Sequence, residues 1–326
     1  MATLTTSPTR LTRGVDVVRR HRAIALSYVV AVLLFVAGTI HAPDFASGSH
    51  IRTMLIYASF IGIVGLGQTL CILTGGIDLS IPQTLTGAAV LTSILAGGHA
   101  ERLPGLTVLV VGLAVVVGLL NGVGIAYIGI PPIIMTLGMN GALQGLMLVY
   151  THGGFSSTPP QGLITFVLGA TSGLSNDLLI WAAVIVLGCV LLSASTFGRT
   201  LYAVGTNRTA AYLAGIHVKR VLVVPYIISA VGAALTGLLV MGYNGQAFLG
   251  MGDDYLFGSA AAVAVGGASI LGGEGHYVGT VAGSLILTLV AAILPIFNLG
   301  PAALKIAYGA ILLATVFLAN VRVARS

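Results

Sequence analysis

Charged side chains are scarce in this chain of 326 residues: they make up 7% of it, whereas apolar residues make up 57%. A soluble domain carries roughly 25% charged residues, and no aqueous fold of this length could bury so much apolar surface. Apolar runs of membrane-spanning length recur along the sequence. The composition therefore excludes a soluble protein and predicts an all-α polytopic membrane protein.

Lysine, cysteine and clustered metal ligands are also rare. The two lysines, Lys219 and Lys305, each follow an aliphatic residue, whereas the lysine of a nucleotide-binding P-loop follows glycine. The two cysteines lie far apart in apolar runs, and the seven histidines lack the spacing of a metal site. We therefore expect no metal, no cofactor and no nucleotide hydrolysis on this chain.

Ten apolar segments are expected to cross the bilayer. Some are shorter than the roughly 20 residues that a spanning helix needs, so broken or re-entrant segments are expected among them. A further apolar stretch, 163–170, should lie at the outer surface or re-enter. The ten segments are 23–40, 54–73, 81–95, 106–128, 132–150, 178–194, 221–241, 255–271, 277–294 and 302–320.

The distribution of cations predicts that both termini are cytoplasmic. With that topology, 11 of the 14 lysines and arginines fall inside, and only Arg52, Arg102 and Lys305 fall outside. An excess of cations marks the cytoplasmic side. Residues 1–22 and 321–326 are then cytoplasmic tails around one membrane domain, 23–320. Because the cations cluster at the ends and in one loop, they do not indicate a nucleic-acid surface.

The sequence LTGGIDLSIP (73–82) interrupts two apolar segments. Thr74, Gly75 and Gly76 allow a sharp turn, and Ser80 or Asp78 can cap the next helix. All eight acidic residues fall in predicted tails or loops. The predicted spans therefore contain no carboxylate that could carry a proton through the membrane. Two interpretations of this break stay open: a structural turn with its own cap, or part of a translocation path or its gate.

Small and polar residues inside the apolar segments predict helix contacts. Asn121, Asn140 and Gln144 are amides that either bond to another helix or line a wet cavity, and both interpretations stay open. Glycine pairs spaced four apart permit close helix crossing. These pairs are Gly118 and Gly122, Gly141 and Gly145, and Gly279 and Gly283.

Two further features lie near the ends of segments. Tyr243, Asn244 and Gln246 follow the seventh segment on its predicted outer side, where they could receive a polar ligand or a delivery protein, or form an ordinary solvated loop. GGASILGGEG (266–275) is a second glycine-rich break, placed in the C-terminal half roughly where LTGGIDLS lies in the N-terminal half. This correspondence hints at two related halves.

The loop 197–220, FGRTLYAVGTNRTAAYLAGIHVKR, is the most cation-rich connection between apolar segments. Asn207 can cap a helix start and Gly215 can end it. The two turns between them would be marginal alone in water, so neighbouring spans or a partner must hold them. We interpret the helix as the docking element for a separate motor subunit. Its residues are Asn207, Arg208, Thr209, Ala210, Ala211, Tyr212, Leu213, Ala214 and Gly215.

Together these stretches resemble the membrane permeases of ribose-type sugar ABC importers. The resemblance extends from about residue 67 to residue 279, so it covers most of the chain. It rests on GQTLCILTGGIDLS, NGVGIAYIGIPPIIMTLG, LVYTHGG, FGRTLYAVGTNRTAAYLAGI and AVAVGGASILGGEGHYVGT.

The resemblance implies a permease subunit in a bacterial inner membrane, moving a sugar or sugar-like solute. It implies cytoplasmic ATPase subunits that hold ATP and Mg, a second permease, identical or related, and an extracytoplasmic solute-binding protein. It also implies that 207–216 is the coupling helix. A stand-alone secondary carrier or facilitator is the alternative.

Two stretches depart from the family pattern. Leu256 and Gly258 stand where relatives typically carry carboxylates, and Glu274 stands where they usually carry a small or basic residue. The departures indicate either an unusual substrate class or pairing with a second, different permease.

Overall fold

The computed structural model describes residues 10–171 and 173–323, and the chain is almost entirely helical there. The predicted class, an all-α polytopic membrane protein, is confirmed. The helices are α1 (Arg10–His41), α2 (Gly48–Leu73), α3 (Ile81–Ala96), α4 (Leu103–Val123), α5 (Pro132–Tyr150), α6 (Gln161–Leu168), α7 (Asn176–Ser193), α8 (Thr196–Thr206), α9 (Arg208–Leu213), α10 (Val218–Asn244), α11 (Tyr255–Val265), α12 (Tyr277–Ile293) and α13 (Pro301–Val323).

Each of the ten predicted apolar segments corresponds to a helix, and the three additional helices are α6, α8 and α9. Within the described ranges, seven helical segments are long and apolar enough to cross a membrane, and the apolar parts of α3, α11 and α13 are shorter. Helix α1 begins inside the predicted N-terminal tail. Residues 1–9 and 324–326 of the two tails lie outside the described residues, and the cytoplasmic placement of both termini stays a prediction.

Two predicted boundaries were wrong. The segment 255–271 is helical only to Val265, because Gly267 has a φ of 87° and turns the chain out of the helix. Asp177, expected in a loop, lies in the first turn of α7 and is buried. The N-terminal end of a helix carries a partial positive charge, which offsets part of the cost of burying a carboxylate there.

In the part of the chain that the structure describes, four two-residue strands lie in the connections between the helices and pair two by two. β1 (Ser156–Ser157) pairs antiparallel with β4 (Ala247–Phe248), and β2 (Ala170–Thr171) pairs with β3 (Leu174–Ser175). The stretch 163–170 falls mostly in α6, where Val167 is buried and lies against Gly242 of α10. This segment therefore covers one end of the bundle.

In each half of the chain, one central helix packs against three helices of the other half. Helix α2 packs against α10, α11 and α12, while α10 packs against α2, α3 and α4. Contacts of Gly67 with Ser229 and of Ile63 with Gly232 show that α2 and α10 run antiparallel. The same relation, one helix against three of the other half, occurs twice. The packing therefore supports two related halves.

Glycine pairs mark two of the closest helix contacts. A β-carbon on Gly118 or Gly122 of α4 would collide with the backbone of α10, and one on Gly279 or Gly283 of α12 would collide with that of α11. Small residues let helix backbones approach closely in a bilayer. The third pair, on α5, has no atom within 4 Å of either added β-carbon, so it makes no such crossing within the described part of the chain.

Candidate translocation site and docking helix

Helix α9 has the caps that its sequence predicts. The Asn207 side chain accepts a hydrogen bond from the amide of Ala210 at 2.9 Å, which satisfies one free donor of the first turn. Gly215 follows with a φ of 80°, and the amide of Ile216 donates to the carbonyl of Ala211 at 3.0 Å. This left-handed exit ends the helix after Leu213.

The two faces of α9 differ sharply in exposure. Ala211 is 4% exposed and packs into the protein core, whereas Tyr212 and Leu213 are 71% and 79% exposed. Two large apolar side chains on this short helix are therefore open to a contacting partner. Ala211 supports the helix from behind and is not on the exposed face. The other residues of the predicted docking element are exposed: Asn207, Arg208, Thr209, Ala210, Ala214 and Gly215.

A hydrogen bond joins α9 to the break after α2. The Nη2 atom of Arg208 donates to the carbonyl oxygen of Thr74 at 2.9 Å. Thr74 is the C-cap residue of α2, and Gly75 follows with a φ of 77°. The sharp turn predicted at Thr74, Gly75 and Gly76 is therefore confirmed, and α9 is attached directly to it.

The second glycine-rich break reaches the same point. The Gly273 amide donates to the Leu73 carbonyl at 2.9 Å. Gly205, near the end of α8, lies so close that a β-carbon there would collide with the Leu73 carbonyl oxygen and the Gly273 amide. The end of α2, the end of α8 and the 266–276 connection thus meet beside α9. We call this meeting point the junction.

Beyond the junction, Asp78, Ser80 and Asn121 form a buried polar cluster. The Asp78 Oδ1 atom accepts hydrogen bonds from the Ser80 amide at 2.9 Å and the Ser80 hydroxyl at 2.6 Å. The Asn121 amide of α4 donates to the Ser80 hydroxyl oxygen at 2.9 Å. Of the two predicted caps, Ser80 is the N-cap residue of α3 by position, but its side chain accepts no amide of that helix. The Ser80 hydroxyl instead joins Asp78 to Asn121, and the Asp78 carboxylate accepts the Ser80 amide.

The sequence interpretation missed the rest of this cluster. The Gln68 Oε1 atom of α2 accepts the Asp78 amide at 3.3 Å, and the Tyr226 hydroxyl of α10 lies directly against Gly76. Both side chains are buried. Gln68 could have been found as a polar residue in an otherwise apolar run, but nothing in the sequence indicates that Tyr226 faces the break.

Two amide atoms of the cluster lack a hydrogen-bond partner within the described residues. These are Nε2 of Gln68 and Oδ1 of Asn121, and both are buried. An unsatisfied buried polar atom is costly, so such atoms are expected where water or a solute enters in another state. The cluster can therefore donate to and accept from a hydroxyl-rich molecule.

The remaining predicted amides lie on α5. Thr136 donates to the carbonyl of Ile77 at 3.1 Å and so ties this helix to the break. Asn140 and Gln144 follow at intervals of four residues, so they continue the same helix face. Asn140 is half-buried and Gln144 is exposed. Asn140 and Gln144 therefore continue the row of polar side chains that begins at Thr136, but they are not part of the buried cluster.

The connection between α10 and α11 also contacts the start of α3. The Gly252 amide donates to Thr86 Oγ1 at 3.1 Å, and Gln83 Nε2 donates to Asp253 Oδ1 at 3.3 Å. Partial burial raises the pKa of Asp253; the Lys305 ammonium lowers it and the nearby Asp254 raises it. Two irregular connections therefore meet around the first turns of α3.

The predicted outer-mouth residues are separate from the buried cluster. Tyr243 packs edge-on against Tyr57 and Phe60, with ring centroids 5.6 Å and 5.8 Å apart. Asn244 and Gln246 flank Gly245, whose φ of 66° ends α10, and both are exposed. The tyrosine thus stabilises this end of the bundle, and the two amides are free to meet a ligand or a protein.

Comparison with known proteins identifies the family. Residues 50–318 match the family model described as branched-chain amino acid transport system / permease component. The chain is 32% identical to the ribose import permease protein RbsC of Haemophilus influenzae over 80% of this chain and 82% of that one. It is 32% identical to the fructose import permease protein FrcC of Rhizobium meliloti over 81% and 76% of the two chains. It is 30% identical to a probable ABC transporter permease protein of Sinorhizobium fredii over 82% and 80%.

These matches agree with the fold. Helices of spanning length agree with a membrane protein, and the chain belongs to the permease family that its residues 50–318 match. It is a multi-pass protein of a bacterial inner membrane. No solved structure matches the chain significantly.

Proposed function

We propose that this chain is the membrane permease subunit of an ATP-driven importer for a sugar or sugar-like polar solute. Cytoplasmic ATPase subunits bind α9, a second permease completes the pathway, and an extracytoplasmic binding protein delivers the solute. The chain itself hydrolyses no nucleotide. The observation that carries the proposal is the attachment of an exposed, capped docking helix to a polar break within the membrane bundle.

The substrate class follows from the named relatives. They include import permeases for ribose and fructose and a D-allose transport permease, each aligned over about 80% of this chain. The family description names branched-chain amino acids instead, but it covers the family as a whole. A cluster of amide, hydroxyl and carboxylate groups suits a molecule with many hydroxyls, because each group can exchange hydrogen bonds with it.

The mechanism begins at the exposed face of α9. Closure of the ATPase subunits around ATP would move Tyr212 and Leu213, and the buried Ala211 would carry that motion into the bundle. Arg208 then pulls on the carbonyl of Thr74, where the helix is already broken. A rigid-body switch of this kind would open the pathway first to one side and then to the other.

The solute would pass the cluster formed by Asp78, Ser80 and Asn121. The amide atoms Nε2 of Gln68 and Oδ1 of Asn121 provide hydrogen-bonding capacity that no described residue uses. Weak contacts of this kind suit transport, because the solute must leave as readily as it enters. The binding protein would supply most of the affinity and would meet Asn244 and Gln246.

The decisive experiment is uptake by vesicles holding the chain together with its ATPase and binding protein. Ribose, fructose and allose are offered separately, and ATP hydrolysis is measured in the same vesicles. Leu213→Asp places a charge on the docking surface, so uptake should fall at least tenfold while the thermal unfolding midpoint stays unchanged. Leu174→Asp, at another exposed apolar position, should leave uptake unchanged.

Two results would contradict the proposal. Uptake at the same rate without the ATPase would make the chain a stand-alone carrier. Unchanged uptake in the Leu213→Asp variant would show that α9 is not the docking helix, even if the chain transports sugar.

A further inference from the structure

An open apolar groove of about 400 Å³ lies between α4 and α10, apart from the polar cluster. Other aliphatic side chains of α4 are also exposed, among them Val116 and Leu120. In a membrane such a surface faces acyl chains. The groove is lined by Leu119, Val123, Tyr127, Arg220, Val223 and Val224.

Cations mark one end of the groove. Arg220 is part of its wall, and the ammonium of Lys219 lies 5.1 Å from the centre of the Tyr127 ring. Tyr127 belongs to a single π-helical turn, Gly124–Ile128, that follows α4, and it is half exposed. Within the described residues no carboxylate lies within 4.0 Å of either cation.

The position of these cations in α10 is electrostatically unfavourable on its own. Both lie in the first turn of the helix, which contains no acidic residue and has no side-chain cap from His217. The N-terminal end of a helix already carries a partial positive charge, so cations there repel it. An external anion at this point would relieve the repulsion and bind both side chains.

We propose that this groove binds one anionic phospholipid. The phosphate would lie against Lys219 and Arg220, with the Tyr127 hydroxyl as a further donor, and one acyl chain would fill the apolar groove. Basic pockets between membrane helices suit anionic headgroups for this reason. A soluble phosphate would use only the cations and leave the apolar wall empty, so the lipid is the better match.

The test is native mass spectrometry of the full chain, with its attached subunits, extracted from vesicles of equal phosphatidylglycerol and phosphatidylcholine. We expect one phosphatidylglycerol to be retained per chain. Lys219→Gln with Arg220→Gln should lower that retention roughly tenfold or more, because each cation near an anionic headgroup contributes to binding. Val224→Trp, which fills the groove and leaves both cations, should lower it as well.

Arg199→Gln is the matched control, because it removes a cation from the same connection but from a different helix, α8. It should leave retention unchanged, and thermal unfolding should confirm that each variant is folded. Equal retention of the two lipids would overturn the proposal, as would an equal loss in the Arg199→Gln control. Cross-linking of two copies through cysteines placed at Leu119 would also overturn it, because a protein would then occupy the groove.

Discussion

The guanidinium of Arg208 and the carbonyl oxygen of Thr74 lie 2.9 Å apart, although 134 residues separate them in the chain. The first belongs to α9, the proposed docking helix, and the second to the break that leads to the buried polar cluster. A charged donor makes a stronger hydrogen bond than a neutral one. This contact therefore links α9 directly to the break beside the candidate pathway.

Arg208→Gln should uncouple ATP hydrolysis from uptake. Glutamine is shorter and uncharged, so the bond to Thr74 is lost, and a bond from a charged donor is worth about 1.5–3 kcal/mol. We expect uptake by the assembled transporter to fall about tenfold or more while ATP hydrolysis continues. Arg199→Gln is the control, and equal uptake in the two variants would show that the Thr74 contact transmits nothing.

Gly205→Ala should disrupt the junction. The added methyl group would meet the Leu73 carbonyl oxygen and the Gly273 amide, and both are backbone atoms that cannot rotate away. Overpacking of this kind typically costs about 1–3 kcal/mol. The unfolding midpoint of the purified chain should fall. Gly112→Ala, on α4 with no atom within 4 Å of the added carbon, should leave the midpoint unchanged or raise it.

Ser80→Ala should weaken both the fold and transport. Its hydroxyl donates to Asp78 and accepts from Asn121, so its removal leaves two buried groups short of partners, at a cost of about 1–3 kcal/mol each. Ser59→Ala removes a hydroxyl that is equally buried but bonds only to the carbonyl of Ile56 in its own helix. A similar loss of stability and uptake in both variants would contradict a special role for the cluster.

Asp253→Asn should stabilise the chain at neutral pH. Partial burial raises the pKa of Asp253 above its usual 3.8, so the folded chain holds this proton more tightly than the unfolded chain does. The ionised form therefore costs stability at pH 7, and the cost disappears as the pH falls through the raised pKa. The unfolding midpoint of the variant should exceed that of the unmodified chain at pH 7 by more than at pH 4.

Asp254→Asn is the control for this pH dependence. Asp254 is exposed and lies 3.6 Å from the Lys305 ammonium, and exposed ion pairs contribute little to stability. Its midpoint should stay close to that of the unmodified chain at both pH values. A difference for Asp253→Asn that grows on acidification would refute the prediction.

Local patterns predicted the local structure well. The side-chain oxygen of Asn207 specifies the start of α9 through a short-range hydrogen bond, and the left-handed backbone of Gly215 specifies its end. The sequence predicts both. The break at Thr74, Gly75 and Gly76 was recognised for the same reason. Hydropathy located all ten apolar helices because lipid requires long apolar runs.

Contacts between distant residues could not be predicted from one sequence. The bond from Arg208 to Thr74 and the packing of Gly205 against Leu73 depend on how two halves meet, and no local pattern encodes that. Asp177 was assigned to a loop because a charged residue was assumed to mark the end of a span. The first turn of a helix accepts a carboxylate equally well.

The packing of each central helix against the other half affects how the chain is made. Helix α2 is synthesised early, yet the helices that cover it, α10 to α12, leave the ribosome only after more than half of the chain has been made. Before those helices are inserted, the serine, threonine and glutamine side chains of α2 lack the neighbours that bury them in the complete fold. A prematurely terminated chain could not complete either half, and it would remain a target for membrane proteases.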